Sequence, residues 1–411
     1  MTQAFSLDLA RKMAVGEDIT QLQFDQLLQH ISNDPLLKQF APDGICQIDP
    51  RNGNLVVYNS SRAKRPQTHT QATHTIEAAK PCPICEGASA DILDIAEQSE
   101  GFTFISKNLY PIFHPIEYVP QELPDYFQHQ DPYHLGRASY GFHLLQWTSS
   151  IHDRDWYNIP LNDATICLQR LAAVESTLLH QPTDFMAQSG KQVEDRQVSG
   201  YVSIIKNYGA SAGASLVHGH QQIAYSNILP QHFFNNLCFR KRHERAFSQY
   251  MIEENPAELL VKDYGAVQLM VPYFMKRPLD MLLIFKESHK RYLHQLTTYE
   301  LTQLAQGIQQ AIRAIVGLMT QMGMTPAYNM IINNGPGCGL YVEFLTKTQM
   351  MGGYEQIGLY VCQANPYHNA NSIRQWIAAE DNVENRAEEG ADAGAEDGAE
   401  DCVETDTQAR N

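Results

Sequence analysis

The segment His218-Gly219-His220-Gln221-Gln222 places two imidazoles and an amide at alternate positions of a stretch, 217–224, whose apolar residues have strand character. Residues two apart in a strand face one side, so His218, His220 and Gln222 are expected to project together. Just upstream, Asn207-Tyr208-Gly209-Ala210-Ser211-Ala212-Gly213-Ala214-Ser215 consists mostly of small residues, and its two glycines permit close backbone approach. Such a segment can present N–H groups to a phosphate. A neutral imidazole nitrogen can attack phosphorus, and the phosphoramidate formed is reactive enough to pass a nucleotidyl group on. The amide can hold a non-bridging phosphoryl oxygen. H-x-H-x-Q following N-x-G-x-x-x-G-x-S therefore points to nucleotidyl transfer through a covalent histidine intermediate.

Cys82-Pro83-Ile84-Cys85 has the spacing with which two thiolates grip one zinc ion. Zinc takes four ligands in near-tetrahedral geometry at about 2.0–2.3 Å. Two must come from elsewhere, and His152 and His218 would complete a Cys2His2 set. His69 and His74 compete for the His152 role. No helix start follows Cys85, which disfavours a thioredoxin-like redox pair.

The elements that carry these residues form an apparent internal repeat. His143-Leu144-Leu145-Gln146-Trp147, then Ser150-Ile151-His152, then a helical run over 161–179, is echoed by Asp280-Met281-Leu282-Leu283-Ile284, Ser288-His289 and a helical run over 298–319. Residues 201–209 (YVSIIKNYG) are echoed by 328–335 (YNMIINNG) at an offset of 127 to 126 residues. Two tandem strand-helix-strand units predict an α+β fold, an antiparallel sheet flanked by helices. Ahead of them, residues 1–45 carry helical spacing around 6–13 and 19–31, ending at Asp34-Pro35, and read as an arm. Residues 47–58, broken by Asn52-Gly53, predict a hairpin, and 62–79 a loop. The expected division is an arm to 45, a first unit over 46–250 with the metal knuckle and active site, a second unit over 251–378, and a tail over 379–411.

With 411 residues and 43% hydrophobic composition the chain can bury a substantial core. It has no run of eighteen apolar residues, and Met1 to Ala14 lacks a secretory pattern, so a soluble cytoplasmic protein without a membrane partner is expected. The net charge of −16 is concentrated: Glu380 to Asp406 holds twelve acids, offset only by Arg386 and, just beyond, Arg410. The tail thus carries −10 and the remainder −6, which gives no basic surface for nucleic acid. From Val383 onward the composition predicts disorder.

These residues resemble the galactose-1-phosphate uridylyltransferases, a branch of the histidine triad superfamily. The resemblance covers most of the chain: Asp49 to Tyr58 with Ser61-Arg62-Ala63-Lys64-Arg65-Pro66, the cysteine knuckle, Phe104 to Pro111, Asn207 to Gln222, and later Val271-Pro272-Tyr273, Tyr328-Asn329-Met330 and Gly353-Tyr354-Glu355. It implies two tandem histidine-triad-like repeats and a ping-pong reaction. His220 would attack the α-phosphorus of a nucleotide-sugar, and a phosphate or sugar-phosphate acceptor would then take the nucleotidyl group. Gln222 and Ser215 would hold phosphoryl oxygens, Asn108, Asn207 and Gly213 would lie at the nucleotide, and Arg62 and Arg65 near the phosphates. Zinc at Cys82, Cys85, His152 and His218 would be structural, and the protein a homodimer.

Gly219 stands where the best-known members have proline, and Gln221 where they have glycine. In the second unit Tyr341-Val342-Glu343 replaces the histidine pair, so one metal per subunit is expected. UDP-glucose:hexose-1-phosphate uridylyl transfer is the first functional expectation, an adenylyl-transferring phosphorylase the second. A non-catalytic zinc-stapled nucleotide-binding protein is the third, and the intact H-x-H-x-Q speaks against it.

Overall fold

The computed structural model describes residues 3–48, 55–57, 82–115, 137–180 and 200–396. Arg62, Arg65, His69 and His74 lie outside the described residues, as do the hairpin turn at Asn52-Gly53 and the expected loop over 62–79.

Among the described residues the strands form two sheets. The smaller joins β1 (Ile45–Ile48), β2 (Leu55–Val57) and β5 (Arg137–Ala138). The larger contains β3 (Ile92–Glu97), β4 (Phe102–Lys107), β6 (Gly141–Trp147), β7 (Tyr201–Tyr208), β8 (His220–Ser226), β9 (Leu260–Asp263), β10 (Val267–Met270), β11 (Met281–Phe285), β12 (Tyr328–Asn333) and β13 (Tyr341–Thr346). Its order is β3-β4-β6-β8-β7-β12-β13-β11-β10-β9, with antiparallel pairing throughout. This is the expected antiparallel sheet flanked by helices. Read outward from the β7–β12 seam, each side places its five strands in the same relative chain order: fourth (β7 or β12), fifth (β8 or β13), third, second, first.

Helices α1 (Leu7–Met13), α2 (Phe24–Ser32) and α3 (Pro35–Gln39) make up the N-terminal arm. Asp34-Pro35 does not end the helical region. It starts α3, because Asp34 Oδ1 accepts from the backbone N–H groups of Leu36 and Leu37 at 2.9 and 3.3 Å and Pro35 needs no N–H partner at the first helical position. Two long helices, α4 (Leu161–Leu179) and α7 (Thr298–Gln321), cover one sheet face and share a core with Leu144, Ile204, Ile223, Leu283, Ile332 and Val342. α7 begins at a capping box in which Thr297 and Glu300 satisfy each other's backbone N–H groups. On the opposite face α5 (Gln231–His243) and α6 (Phe247–Glu254) lie over the second half, where Met251 packs on Met270, Leu282 and Ile284. Over the first half that face carries Phe5, Ala10 of α1 and the 82–85 knuckle, packed with Phe102, Phe104 and Trp147 beside the site described below.

After the short α8 (Gly353–Gln356), α9 runs from Pro366 to Glu396, through the start of the expected disordered tail. Ala370, Ile373 and Ile377 recur at helical spacing and are buried in the main core. Arg313 reaches Glu380 at 3.4 Å, and Lys262 and Gln310 hold Asp381 at 2.6 and 2.7 Å. This docking supplies the helix nucleus, and the Ala- and Glu-rich sequence beyond it has the propensity to propagate. The expected boundary at 378/379 therefore falls inside a helix. No helix among the described residues is long and apolar enough to cross a membrane.

The β6–β8 pairing begins at Gly141, opposite Ser226, with φ +151°. A Cβ there would lie 1.9 Å from the Tyr225 carbonyl oxygen. Gly141→Ala should destabilise the protein by about 1–3 kcal/mol. The measurement is the denaturant midpoint at unchanged slope; an unmoved midpoint would show that the pairing accommodates a side chain.

Candidate active site

β8 lies between β6 and β7, so its side chains project from the two sheet faces while its backbone is held on both edges. It starts at His220, so His218 and Gly219 precede the strand proper rather than belonging to it. The alternation persists nonetheless. His220 and Gln222 line a cleft of about 200 Å³ together with Ser106, Asn108, Leu145, Trp147, Gly213 and Ser215. Trp147, paired with His220 across the ladder, lays its ring against the imidazole at a centroid distance of 5.0 Å.

His220 Nδ1 is 2.9 Å from the His218 carbonyl oxygen. A carbonyl only accepts, so Nδ1 carries the proton and Nε2 keeps its lone pair. Burial lowers the pKa of the ring to about 4, which keeps it neutral near pH 7. This is the protonation state that an imidazole nucleophile requires.

Asn108 is buried, and it lines the cleft with Gly213 and Ser215 of the loop beside His220. Gly213 adopts φ +85°, in the left-handed region, closing the short turn over 210–212. Asn207 is placed elsewhere. It pairs with Asn329 across the β7–β12 seam, and its Oδ1 accepts from Asn329 Nδ2 at 2.7 Å. Asn329 also donates to the Ala212 carbonyl at 2.9 Å, so the two asparagines shape the loop from behind.

Four metal-ligating side chains from three distant segments converge beside this strand: Cys82, Cys85, His152 and His218. Their ligand atoms all lie within 4.8 Å of one another. His218 Nδ1 is 3.7 Å from Cys82 Sγ and 3.6 Å from Cys85 Sγ, and His152 Nδ1 is 3.6 Å from Cys85 Sγ. Tetrahedral angles with ordinary zinc bond lengths require N···S separations of about 3.5 Å. His218 Nε2 sits 2.8 Å from the Ser149 carbonyl, which fixes its proton there and leaves Nδ1 free to coordinate. The residues present fit a four-coordinate metal ion with no position open to substrate. Burial and the adjacent Cys82 push the Cys85 thiol up to about 12, an unfavourable setting for a bare thiolate that a bound cation would relieve.

The opposite side of β8 holds what the sequence did not reveal. Lys206 and Asp155, both buried, form an ion pair at 2.8 Å behind β8. Lys206 Nζ also donates to the His220 carbonyl at 3.3 Å, and Asp155 Oδ1 accepts from Thr148 Oγ1 and the Trp156 backbone N–H at 3.1 and 2.8 Å. Gln221 joins this layer: its Oε1 accepts from Thr148 Oγ1 and Trp156 Nε1, and its amide donates to Gln146. Gly219 is the residue that admits the pair, because a Cβ there would meet the Asp155 carboxylate at 2.5–2.9 Å. A lone lysine in a strand reads as a solvated residue, so no sequence signal marked Lys206.

No protein-family model matches the chain. An ADP-glucose phosphorylase of Arabidopsis thaliana is 20% identical over 346 residues, spanning 80% of this chain and 91% of that protein. A galactose-1-phosphate uridylyltransferase of Neurospora crassa is 23% identical over 300 residues, spanning 64% and 74%. The chain is thus similar, over most of its length, to galactose-1-phosphate uridylyltransferase-like nucleotidyltransferases. A solved uridylyltransferase shares the fold with a TM-score of 0.59 at 17% identity, covering 82% of this chain and 99% of its own. An Arabidopsis ADP-glucose phosphorylase with bound ADP-glucose shares it at 0.55 and 17%, covering 80% and 98%.

The Asp155–Lys206 pair explains why glycine occupies position 219. Gly219→Ala should separate the ions and cost about 3 kcal/mol or more, the order seen when a buried pair is broken. Equal thermal midpoints for the variant and the parent would show that Asp155 yields without loss.

Proposed function

We propose that the protein transfers a nucleotidyl group from a nucleotide-sugar to a phosphate or sugar-phosphate acceptor through His220. The observation that carries this reading is the His220 Nδ1–His218 carbonyl contact, which presents an unprotonated Nε2 in a cleft beside Gln222 and Ser215. In the first half-reaction a P–N bond forms at Nε2 and the P–O bond to the sugar phosphate breaks, its electron pair leaving with the sugar 1-phosphate. The His218 carbonyl holds the Nδ1 proton as the ring becomes cationic. In the second, an acceptor phosphate oxygen bonds to phosphorus and the P–N electron pair returns to Nε2.

UDP-glucose with a hexose 1-phosphate is the first substrate pair, in keeping with the uridylyltransferase relatives. A specific observation favours a second reading, adenylyl transfer with inorganic phosphate as acceptor: the ADP-glucose phosphorylase match extends over 91% of that protein. Arg62 and Arg65 remain proposed phosphate ligands. The four-residue cluster is proposed to hold zinc as a structural ion that fixes the segment leading into β8. A homodimer is proposed as the working unit. The exposed run Met350, Met351, Tyr354, Ile357, Leu359 and Val361 supplies an apolar surface suited to a second copy.

Intact-mass measurement after incubation with UDP-glucose, ADP-glucose, diadenosine tetraphosphate or adenylyl sulfate tests the chemistry and names the nucleotide. The expected product is one acid-labile, base-stable uridylyl or adenylyl adduct, absent in His220→Ala. Turnover that persists in His220→Ala without any adduct would remove the covalent route. Gln222→Ala should lower kcat by roughly 10²–10³, with little change in thermal stability. Zinc content is expected near one per chain and should fall in Cys82→Ser, along with stability; undiminished zinc there would redirect the search to His69 and His74.

A further inference from the structure

Gln222 has two faces of opposite character, a carbonyl that accepts hydrogen bonds and an NH2 that donates them. The non-bridging oxygens of a phosphoryl group only accept. Gln222 is therefore useful at phosphorus in one of its two amide orientations, and the other would set oxygen against oxygen.

A residue outside the expected site selects between them. His143, buried on β6, brings its Nε2 to 3.2 Å from Gln222 Oε1. On the other side of the ring, the backbone nitrogen of Ile112 lies 3.0 Å from His143 Nδ1. A backbone N–H only donates, so Nδ1 must accept, and the proton of the neutral ring sits on Nε2. That Nε2–H then donates to the Gln222 carbonyl and leaves the Gln222 NH2 for the cleft. Asn108 lies against the same ring: its Oδ1 accepts from the Tyr110 backbone N–H at 2.9 Å, and its Nδ2 sits 3.2 and 3.4 Å from the two His143 ring nitrogens.

We infer that His143 is a positioning residue for nucleotidyl transfer, its tautomer set by the Ile112 N–H so that the Gln222 amide donates toward the phosphoryl group at His220. This rests on the reading of His220 as nucleophile and Gln222 as phosphoryl donor. A histidine that merely filled space in the core would affect stability without acting through Gln222, and this difference can be measured.

The test is a double-mutant cycle on the full chain with His143→Ala, Gln222→Ala and the double variant, repeated with His143→Phe, which keeps the bulk of the ring. The readouts are the single-turnover rate of adduct formation and KM for the nucleotide substrate that labels the parent. His143→Ala should slow adduct formation by roughly tenfold to a hundredfold, less than loss of the donor itself. The double variant should be no slower than Gln222→Ala alone, because the two residues act as a unit. His143→Gln, whose own amide can donate to the Gln222 carbonyl, should recover part of the rate. Losses that multiply in the double variant, or His143 variants as fast as the parent, would overturn the inference while leaving the adduct intact. If the parent gives no adduct with any of the four nucleotides, the nucleotidyl-transfer reading itself fails and this inference with it.

Discussion

Everything functional in this protein depends on the clamping of β8 between β6 and β7. The strand is held by ladder hydrogen bonds on both edges, and the turn leading into it is tied by the Gly219 carbonyl to the Thr148 N–H at 2.9 Å. The backbone therefore has no freedom to tilt, and each side chain inherits a fixed direction. His220 and Gln222 face the cleft, while Gly219 and Gln221 face a buried polar layer. That layer contains the Asp155–Lys206 pair. Burying two charges is expensive, and the pair is supported by further donors and by the His220 carbonyl, the arrangement in which such a pair is tolerated.

The cysteine and histidine cluster acts on the same strand from its N-terminal end. It joins the knuckle at 82–85, the loop after β6 and the residue two before His220, so a bound ion would tie three segments to one point. The N-terminal arm braces this region. The Phe5 backbone N–H donates to the Ser150 carbonyl at 2.8 Å and the His152 N–H to the Gln3 carbonyl at 2.9 Å. Phe5 and Ala10 pack with Cys82, Ile84 and Trp147 in one apolar cluster. The arm is thus part of the scaffold of the site.

The second half of the sheet shows what the same strand arrangement does without the histidine pair. Glu343 on β13 is hydrogen-bonded by His232 and Asn333, with Nε2···Oε2 at 2.8 Å and Nδ2···Oε2 at 2.9 Å. Burial raises its pKa, but the His232 contact prevails and holds the carboxyl below its usual range. His289, the remnant of the expected repeat, is exposed beside Glu287. The polar groups here satisfy one another.

The sequence by itself determined the local groupings of side chains at the site. His220 and Gln222 share a side because strand alternation is a local property, and the spacing of Cys82 and Cys85 is local too. The long helices over 161–179 and 298–321 were legible for the same reason, since amphipathic spacing needs no knowledge of the partner. Tertiary structure alone decided that Asn207 turns to Asn329, that Lys206 meets Asp155 beneath His220, and that His143 touches Gln222. Each is a contact across 51 to 122 residues of chain, between side chains whose types are ordinary on a surface and acquire a role only through burial together. The acidic segment after Val383 was misjudged in part because composition measures what a stretch can bury alone. Its helix is nucleated by the docked turns before it, which composition cannot register.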